Sequence, residues 1–133
     1  MNYLLDVNVL IALVHGDSVF HDRISQWVHG LDHARDRLAF CALSELGVVR
    51  ILPQLPQSEY TVKDAQQLLL RLKSALRPRV AFLADDLDAQ TLPNWVKSSK
   101  HTTDGHLSAL AKAHGAILAT LDSKIPGAFL IPE

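Results

Sequence analysis

Four acidic residues stand where a folded chain could bring carboxylates together. Asp6 directly follows the apolar run 2–5 (NYLL), and Asp122 follows another apolar run, 116–120 (AILAT). Glu45 and Asp104 each fall about one turn into a predicted helix. Clustered carboxylates repel one another unless cations neutralise them, and an all-oxygen ligand set without Cys or His favours Mg²⁺ or Mn²⁺. We therefore predict a divalent metal site, with Asp6 and Asp104 as direct ligands and Asp122 and Glu45 as further ligands or water-orienting groups.

Each acid also has an ordinary structural explanation. An Asp that ends a strand is common in turns, an Asp in a first helical turn complements the helix dipole, and a helical Glu is usually solvated. Asp6 differs because it interrupts the apolar segment LLDVNVLIAL at 4–13. A charge is costly there unless it is paired or binds a ligand. This context favours a functional role for the set.

The apolar pattern predicts the elements that hold these acids. Short continuous apolar runs indicate buried strands, and apolar residues every three or four positions indicate helices. The predicted strands are 2–5, 37–40, 79–83, 116–120 and 128–131. The predicted helices are 7–16, 18–30, 42–52, 61–76 and 102–115. This alternation predicts an α/β fold, a mainly parallel four- to five-stranded sheet with helices on both faces, and it brings all four acids to the carboxyl edge of the sheet.

Glycine and hydroxyl residues predict where the helices begin and end. We expect Gly16 and Gly115 to close the first and last helices in the left-handed conformation, and Gly30 to stop the second. Ser18 is the expected N-cap of the second helix, and a threonine at 102–103 that of the last.

The composition fits one cytoplasmic domain spanning 1–133. Apolar residues make up 48% and charged residues 20%, which is the balance of a globular protein. Cys41 is the only cysteine, which excludes an intrachain disulfide and a cysteine zinc site and fits a reducing compartment. No run reaches the ~18–20 apolar residues of a membrane span. The net charge of −1 provides no global attraction for nucleic acid, so any such contact needs a local patch.

Basic and aromatic side chains are the candidates for such a patch. The basic residues nearest the acidic motifs, and so the candidates for phosphate contacts, are Arg50, Lys97, Lys100 and Lys124. A second basic group, at the end of the fourth helix, is typical of a solvated face and comprises Arg71, Lys73, Arg77 and Arg79. Trp27 and Trp95 are expected to pack rather than to stack on bases, and Cys41 is expected in the core.

Three segments carry a resemblance to a known family. They are LLDVNVLIAL at 4–13, LSELGVVRIL at 43–52 and TTDGHLSALAKAHGAILATLD at 102–122. In this order they resemble the motifs of PIN-domain ribonucleases, particularly the VapC-type toxins of bacterial toxin–antitoxin pairs. The resemblance covers nearly the whole chain and implies the PIN-like three-layer sandwich.

The resemblance also implies an activity and partners. It implies a metal-dependent endoribonuclease that hydrolyses RNA phosphodiester bonds, with Asp6, Glu45, Asp104 and Asp122 as its acidic cluster. Asn8 would orient Asp6, and Thr103 or Thr120 would help to position water. The expected partners are the RNA substrate, a cognate antitoxin protein and a second copy in a homodimer, with no membrane.

Two other functions remain open at this point. A receiver domain that accepts a phosphoryl group could use Asp6, Asp85 and Thr120, although the expected paired acid and the lysine after the fifth strand are missing. A non-catalytic module of the same fold could bind RNA or protein without cleaving it. The complete acid set disfavours that module, and a metal-titrated cleavage assay separates all three hypotheses.

Overall fold

The sheet has five parallel strands, as seen in a computed structural model that describes residues 1–77 and 79–133. The strands are β1 (Asn2–Leu5), β2 (Arg37–Cys41), β3 (Val80–Leu83), β4 (Ile117–Thr120) and β5 (Phe129–Leu130). Their spatial order is β3-β2-β1-β4-β5, and every neighbouring pair is parallel. Each predicted strand is confirmed to within one residue at either end.

Helices connect the strands. They are α1 (Val7–Val14), α2 (His21–His29), α3 (Ala42–Ile51), α4 (Val62–Ala75) and α5 (Thr102–Ala113), with short 3₁₀ turns at Leu52–Gln54, Ala89–Thr91 and Ser99–His101. All five predicted helices are confirmed, although several end earlier than expected. Within the described part of the chain, no helix is both long and apolar enough to cross a bilayer.

The sheet separates two apolar cores, which makes the fold three-layered. On one face, Leu5 and Phe40 pack with residues of α1, α2, α3 and α4. On the other face, Leu4 and Cys41 pack with α5 and partly with Trp95. Successive strand residues point to opposite faces, so Leu4 and Leu5 serve different cores. The predicted α/β sandwich with helices on both faces is therefore confirmed.

The strand order excludes the receiver-domain hypothesis. A receiver domain has the flavodoxin-like order 2-1-3-4-5, in which the third strand lies next to the first. Here β2 and β4 flank β1, and β3 lies at the edge beyond β2. The sites of Asp6 and Asp85 are thus not arranged as in a receiver domain.

Several predicted helix ends are wrong, for local reasons. α1 ends at Val14 with His15 in an extended conformation, so Gly16 does not cap it. α2 begins at His21, because the Ser18 hydroxyl accepts a hydrogen bond from the Phe20 amide in a preceding turn. The N-cap of α5 is His101 rather than a threonine. Gly115 does adopt the left-handed conformation (φ 68°) after α5, and α2 ends at Gly30, as predicted.

A close approach of α1 and α3 brings two of the site elements together. A Cβ atom at Gly47 would lie 2.7 Å from Cγ2 of Val7, which is closer than side-chain carbons pack. Gly47 lies in α3 two residues after Glu45, and Val7 directly follows Asp6. The missing side chain therefore lets the helix that carries Glu45 pack against the start of α1.

Candidate active site

Asp6 is a buried carboxylate at the junction of β1 and α1. The residue is only 4% exposed. One oxygen, Oδ1, accepts a hydrogen bond from the Val7 amide at 2.8 Å, and Oδ2 accepts one from the Thr120 hydroxyl at 2.7 Å. Burial raises the pKa of Asp6 and outweighs these two hydrogen bonds, which lower it, while the negative charge of Asp122 raises it further. Asp6 is therefore a buried acid whose hydrogen-bond donors are both uncharged.

Thr120 links Asp6 to Asn8 and Asp122. Its hydroxyl oxygen accepts hydrogen bonds from the Asp122 amide at 3.0 Å and from the Asn8 side-chain amide at 3.4 Å. The Asn8 carbonyl oxygen in turn accepts a hydrogen bond from the Leu121 amide at 3.3 Å. In residues 1–77 and 79–133, the hydrogen bonds therefore connect Asn8 to Asp6 indirectly, through the Thr120 hydroxyl. β4 and the start of α1 are joined by this network.

Asp104 lies in the first turn of α5 and completes a group of three aspartates. Burial raises its pKa, the negative charges of Asp6 and Asp122 add to the rise, and the charge of His101 opposes it. Asp122 thus acts on both Asp6 and Asp104, so the ends of β1 and β4 and the first turn of α5 bring the three carboxylates into one group. Thr103 is exposed in the same turn of α5.

Glu45 lies in the first turn of α3 and pairs with Lys73 from α4. The Lys73 ammonium is 2.6 Å from Oε2 of Glu45. Oε2 is buried and receives no hydrogen bond of acceptable angle, so this contact is an ion pair without good hydrogen-bond geometry. The expectation that Lys73 belongs to a solvated face is wrong, because tertiary packing of α4 against α3 brings its ammonium to the carboxylate. Arg79, from the same basic group, is buried, whereas Arg71 and Arg77 are exposed as predicted.

The donor set suits a hard divalent cation, although the side chains do not form a closed ligand shell. In the described residues, no group of three or more His, Cys, Asp or Glu side chains has the arrangement of a metal centre. The acids nevertheless offer oxygen ligands only, as Mg²⁺ and Mn²⁺ prefer. Asp6 and Asp104 have raised pKa values that a bound cation would counteract, and Oε2 of Glu45 has unused acceptor capacity. These observations fit a divalent ion.

The remaining candidates divide into packing residues and exposed cations. Trp27 packs edge-on against Tyr3 at 5.1 Å between ring centroids, as expected for a core residue, and Cys41 is fully buried. The four basic candidates for phosphate contacts are all exposed: Arg50, Lys97, Lys100 and Lys124. Their role stays a prediction.

Asp85 makes a separate acid–base pair with His106. Nε2 of His106 donates to Oδ2 of Asp85 at 2.6 Å. Burial by itself raises the pKa of Asp85, but the hydrogen bonds from His106 and the Leu87 amide and the nearby histidine charges lower it overall. Asp85 therefore has an ionisable hydrogen-bond partner, whereas both hydrogen-bond donors to Asp6 are uncharged.

Sequence reasoning missed Lys73 and Gly47 as residues of the site. Both depend on contacts between elements far apart in the chain, and helix periodicity does not reveal such contacts. A lysine on the same helix face as buried leucines was a signal for Lys73, since Leu69 lies one turn before it and is buried.

A family profile described as PIN domain matches residues 3–128. Ribonuclease VapC38 of Mycobacterium tuberculosis is 34% identical over 126 residues, which covers 92% of this chain and 86% of that protein. Ribonuclease VapC44 of the same species is 35% identical over 129 residues, covering 94% of this chain and 89% of that protein.

The fold is similar to a solved structure of VapC20 of Mycobacterium tuberculosis, described as a sarcin-ricin loop cleaving toxin. The two agree with a TM-score of 0.65 over 98% of this chain and 99% of that one. At 13% identity, this likeness concerns the fold alone.

Proposed function

The chain belongs to the PIN-domain family, and we propose on that basis that it is an endoribonuclease acting as the toxin of a toxin–antitoxin pair. The observation that carries the proposal is the placement of three aspartates, Asp6, Asp104 and Asp122, at the carboxyl edge of the sheet, where the charge of Asp122 raises the pKa of Asp6 and the charges of Asp6 and Asp122 raise that of Asp104. Its curated relatives are ribonucleases and are similar over nearly its whole length. We propose that residues 1–133 act as a single nuclease domain.

In the proposed mechanism the acids hold Mg²⁺ or Mn²⁺. Asp6, Asp104 and Asp122 would be its ligands, with Glu45 as a further ligand or a group that orients water. When bound, the ion supplies positive charge for the scissile phosphate and activates the attacking water. The carboxylates must be ionised for this role, and the raised pKa values of Asp6 and Asp104 make the ion their natural counter-charge.

The neighbouring polar residues orient these acids and water. The Thr120 hydroxyl donates to Oδ2 of Asp6 and fixes the direction of that carboxylate. Asn8 supports Thr120 and the turn at Leu121 from the first turn of α1. Thr103, exposed beside Asp104, is our candidate for orienting water at the phosphate.

RNA binding rests on local positive charge in this proposal. The chain has a net charge of −1, so a long-range attraction for the RNA backbone is absent. Exposed basic side chains near the acidic motifs, such as Lys100 and Lys124, would contact phosphates beside the scissile bond. A cytoplasmic location gives the protein access to such a substrate.

The proposed protein partners are a cognate antitoxin and a second copy of the chain. Support for an antitoxin partner comes from a solved structure of VapBC2 from Rickettsia felis bound to a DNA fragment from their promoter, with a TM-score of 0.57 and 16% identity over 98% of this chain and 97% of that one. In this arrangement the antitoxin restrains the nuclease, and the homodimer is its assembled form.

The substitution Asp104→Asn tests the assignment of the active site. It removes one negative charge with little change in size, and we expect RNA cleavage to fall by at least about 100-fold while the fold survives. The measurement is the cleavage rate of a labelled single-stranded RNA in Mn²⁺, with circular dichroism to verify folding.

A matched control is Asp22→Asn, which changes an exposed aspartate in the first turn of α2. We expect this variant to cleave at the wild-type rate. Near wild-type cleavage by Asp104→Asn would exclude Asp104 as a metal ligand. Folded, metal-loaded wild-type protein that leaves RNA intact would instead favour the non-catalytic binding module.

A further inference from the structure

The side chain of Lys73 is held in place by contacts that a solvated lysine would not make. It lies in the last turn of α4, and its ammonium is 2.6 Å from Oε2 of Glu45. The side chains of Lys73 and Glu45 are only 29% and 22% exposed. An ion pair of this exposure is less screened than one on an open surface.

Two aromatic rings fix the ammonium from the sheet side. Nζ of Lys73 lies 5.4 Å from the ring centroid of Phe40 and 5.5 Å from that of Phe82. These rings are register partners on β2 and β3. Phe40 is fully buried and held by the core, whereas Phe82 is 55% exposed, so the Phe40 ring provides the more firmly packed of the two contacts. Cation–π attraction therefore adds to the ion pair and keeps the charge beside Glu45.

The charge compensation of the four acids is uneven. Among the salt bridges of the described residues, Lys73 is the partner of Glu45. The three aspartates form no salt bridge there: the negative charge of Asp122 raises the pKa of Asp6, and the charges of Asp6 and Asp122 raise the pKa of Asp104. Asp6 receives its hydrogen bonds from uncharged donors. Within the described residues, Glu45 is thus the acid of the set that forms a salt bridge with a cation of the protein, whereas His101 acts on Asp104 through its charge without a salt bridge.

We propose that Lys73 is a positioning residue that acts as an internal counter-ion for Glu45 and competes with the divalent ion for its carboxylate. In the metal-free protein Lys73 holds Glu45 between α3 and α4. When a divalent ion binds at the three aspartates, the Glu45 carboxylate can help to bind it only to the extent that the ion pair between Glu45 and Lys73 weakens. Lys73 therefore sets how much of Glu45 is available to the metal site. This inference rests on the proposed function, because it assumes that the aspartates bind a divalent ion.

The inference predicts the direction in which metal affinity changes. Removing the ammonium frees Glu45 and leaves the site more negative, so a divalent ion binds more tightly. The gain must depend on the Glu45 carboxylate. A purely structural lysine would instead weaken binding when removed, because α3 and α4 would lose a contact near the site.

Isothermal titration calorimetry with Mn²⁺ alone tests this in a double-substitution cycle. The proteins are wild type, Lys73→Met, Glu45→Gln and the double variant, with Lys73→Arg as the charge-conserving variant. We expect Lys73→Met to bind Mn²⁺ about five-fold or more tightly than wild type, and Lys73→Arg to bind as wild type does. In the Glu45→Gln background, Lys73→Met should change the affinity by less than about two-fold.

The matched control is Lys63→Met, which removes an exposed lysine from the other end of α4. It should change Mn²⁺ affinity by less than about two-fold, because solvent and salt screen a distant charge. Lys73→Gln, which is also neutral, replaces Lys73→Met if methionine disturbs the packing against the rings.

Equal or weaker Mn²⁺ binding by the neutral Lys73 variants would overturn the inference, and so would an equal gain in the Glu45→Gln background. If wild type binds Mn²⁺ and the Lys73 variants match it, this inference alone fails. If wild type binds no divalent ion, the metal mechanism of the proposed function fails with it.

Discussion

The direction of the Asp6 carboxylate depends on Thr120. The Thr120 side chain is fully buried, its hydroxyl donates to Oδ2 of Asp6, and its oxygen accepts from Asn8 and the Asp122 amide. A hydroxyl can make all of these bonds at once because it carries one donor and two acceptor sites. One side chain thus aligns two of the acids that would bind the metal ion.

Thr120→Val should make metal binding require a higher pH. Valine has nearly the shape of threonine but cannot donate a hydrogen bond, and the Thr120 bond lowers the pKa of Asp6. Without that hydrogen bond the pKa of Asp6 rises further, so its carboxylate ionises only at a higher pH. We expect the pH of half-maximal Mn²⁺ binding to rise. Thr120→Ser keeps the hydroxyl and should behave as wild type; an unchanged profile for valine would show that the bond does not tune Asp6.

Secondary structure elements were more predictable from the sequence than the contacts between them. The parallel sheet follows from short apolar runs such as 2–5 and 116–120, and Asp6 and Asp122 follow directly from where those runs end. Local pattern carries this information because burial repeats along each element. The pair Glu45–Lys73 joins α3 and α4, and neither helix's own pattern determines how the two cross. The start of α2 and the end of α1 were also predicted wrongly, because a turn at Ser18 delays the first and an extended His15 ends the second.

The packing of α1 against α3 should not tolerate a side chain at position 47. In Gly47→Ala the new Cβ would lie 2.7 Å from Cγ2 of Val7, a β-branched residue with little freedom to move. We expect a loss of about 1–3 kcal/mol in the free energy of unfolding, measured by urea denaturation. Leu46→Ala, at a 64% exposed neighbour, should cost less than about 1 kcal/mol. A Gly47→Ala protein as stable as wild type would mean that the two helices are further apart.

For the whole molecule, folding and metal binding are coupled through the charge of the aspartates. A raised pKa means that the folded state binds the proton more tightly than the unfolded chain does. Protonated Asp6 and Asp104 therefore add to the free energy of unfolding. This contribution is fully present below the ordinary aspartate pKa of about 3.9, and it is lost as the pH rises through the raised pKa values of the folded state. At neutral pH the metal-free protein carries this cost, and a divalent ion offsets it.

Asp6→Asn should separate the two effects in a melting experiment. Asparagine removes the repelling charge and still offers an oxygen to the Val7 amide, so the metal-free variant should melt at or above the wild-type temperature at pH 7. Wild type should gain roughly 2.7 kcal/mol at an ion concentration about 100 times the dissociation constant, which is a shift of several degrees. The Asp6→Asn variant should gain less stability from the same ion concentration.

The reverse pattern would contradict this coupling. A metal-free Asp6→Asn protein that is clearly less stable than wild type at pH 7, and that responds equally to Mg²⁺, would mean that Asp6 serves only to cap α1. Repeating the melts near pH 3.5 checks the sign, because the advantage of the variant should shrink there as the wild-type aspartates become protonated.

The most direct test of metal-dependent RNA cleavage is the rate measured in chelator and again after Mn²⁺ is restored. The protein must be purified free of contaminating nuclease, and the Asp104→Asn variant, prepared in parallel, reports any that remains. Among the salt bridges of residues 1–77 and 79–133, Lys73 is the cation that pairs with one of the four acids, and it is held by Glu45 rather than free for the phosphate. We therefore expect no cleavage of single-stranded RNA in excess EDTA and full recovery with Mn²⁺. Undiminished cleavage by wild type in excess EDTA would contradict the account.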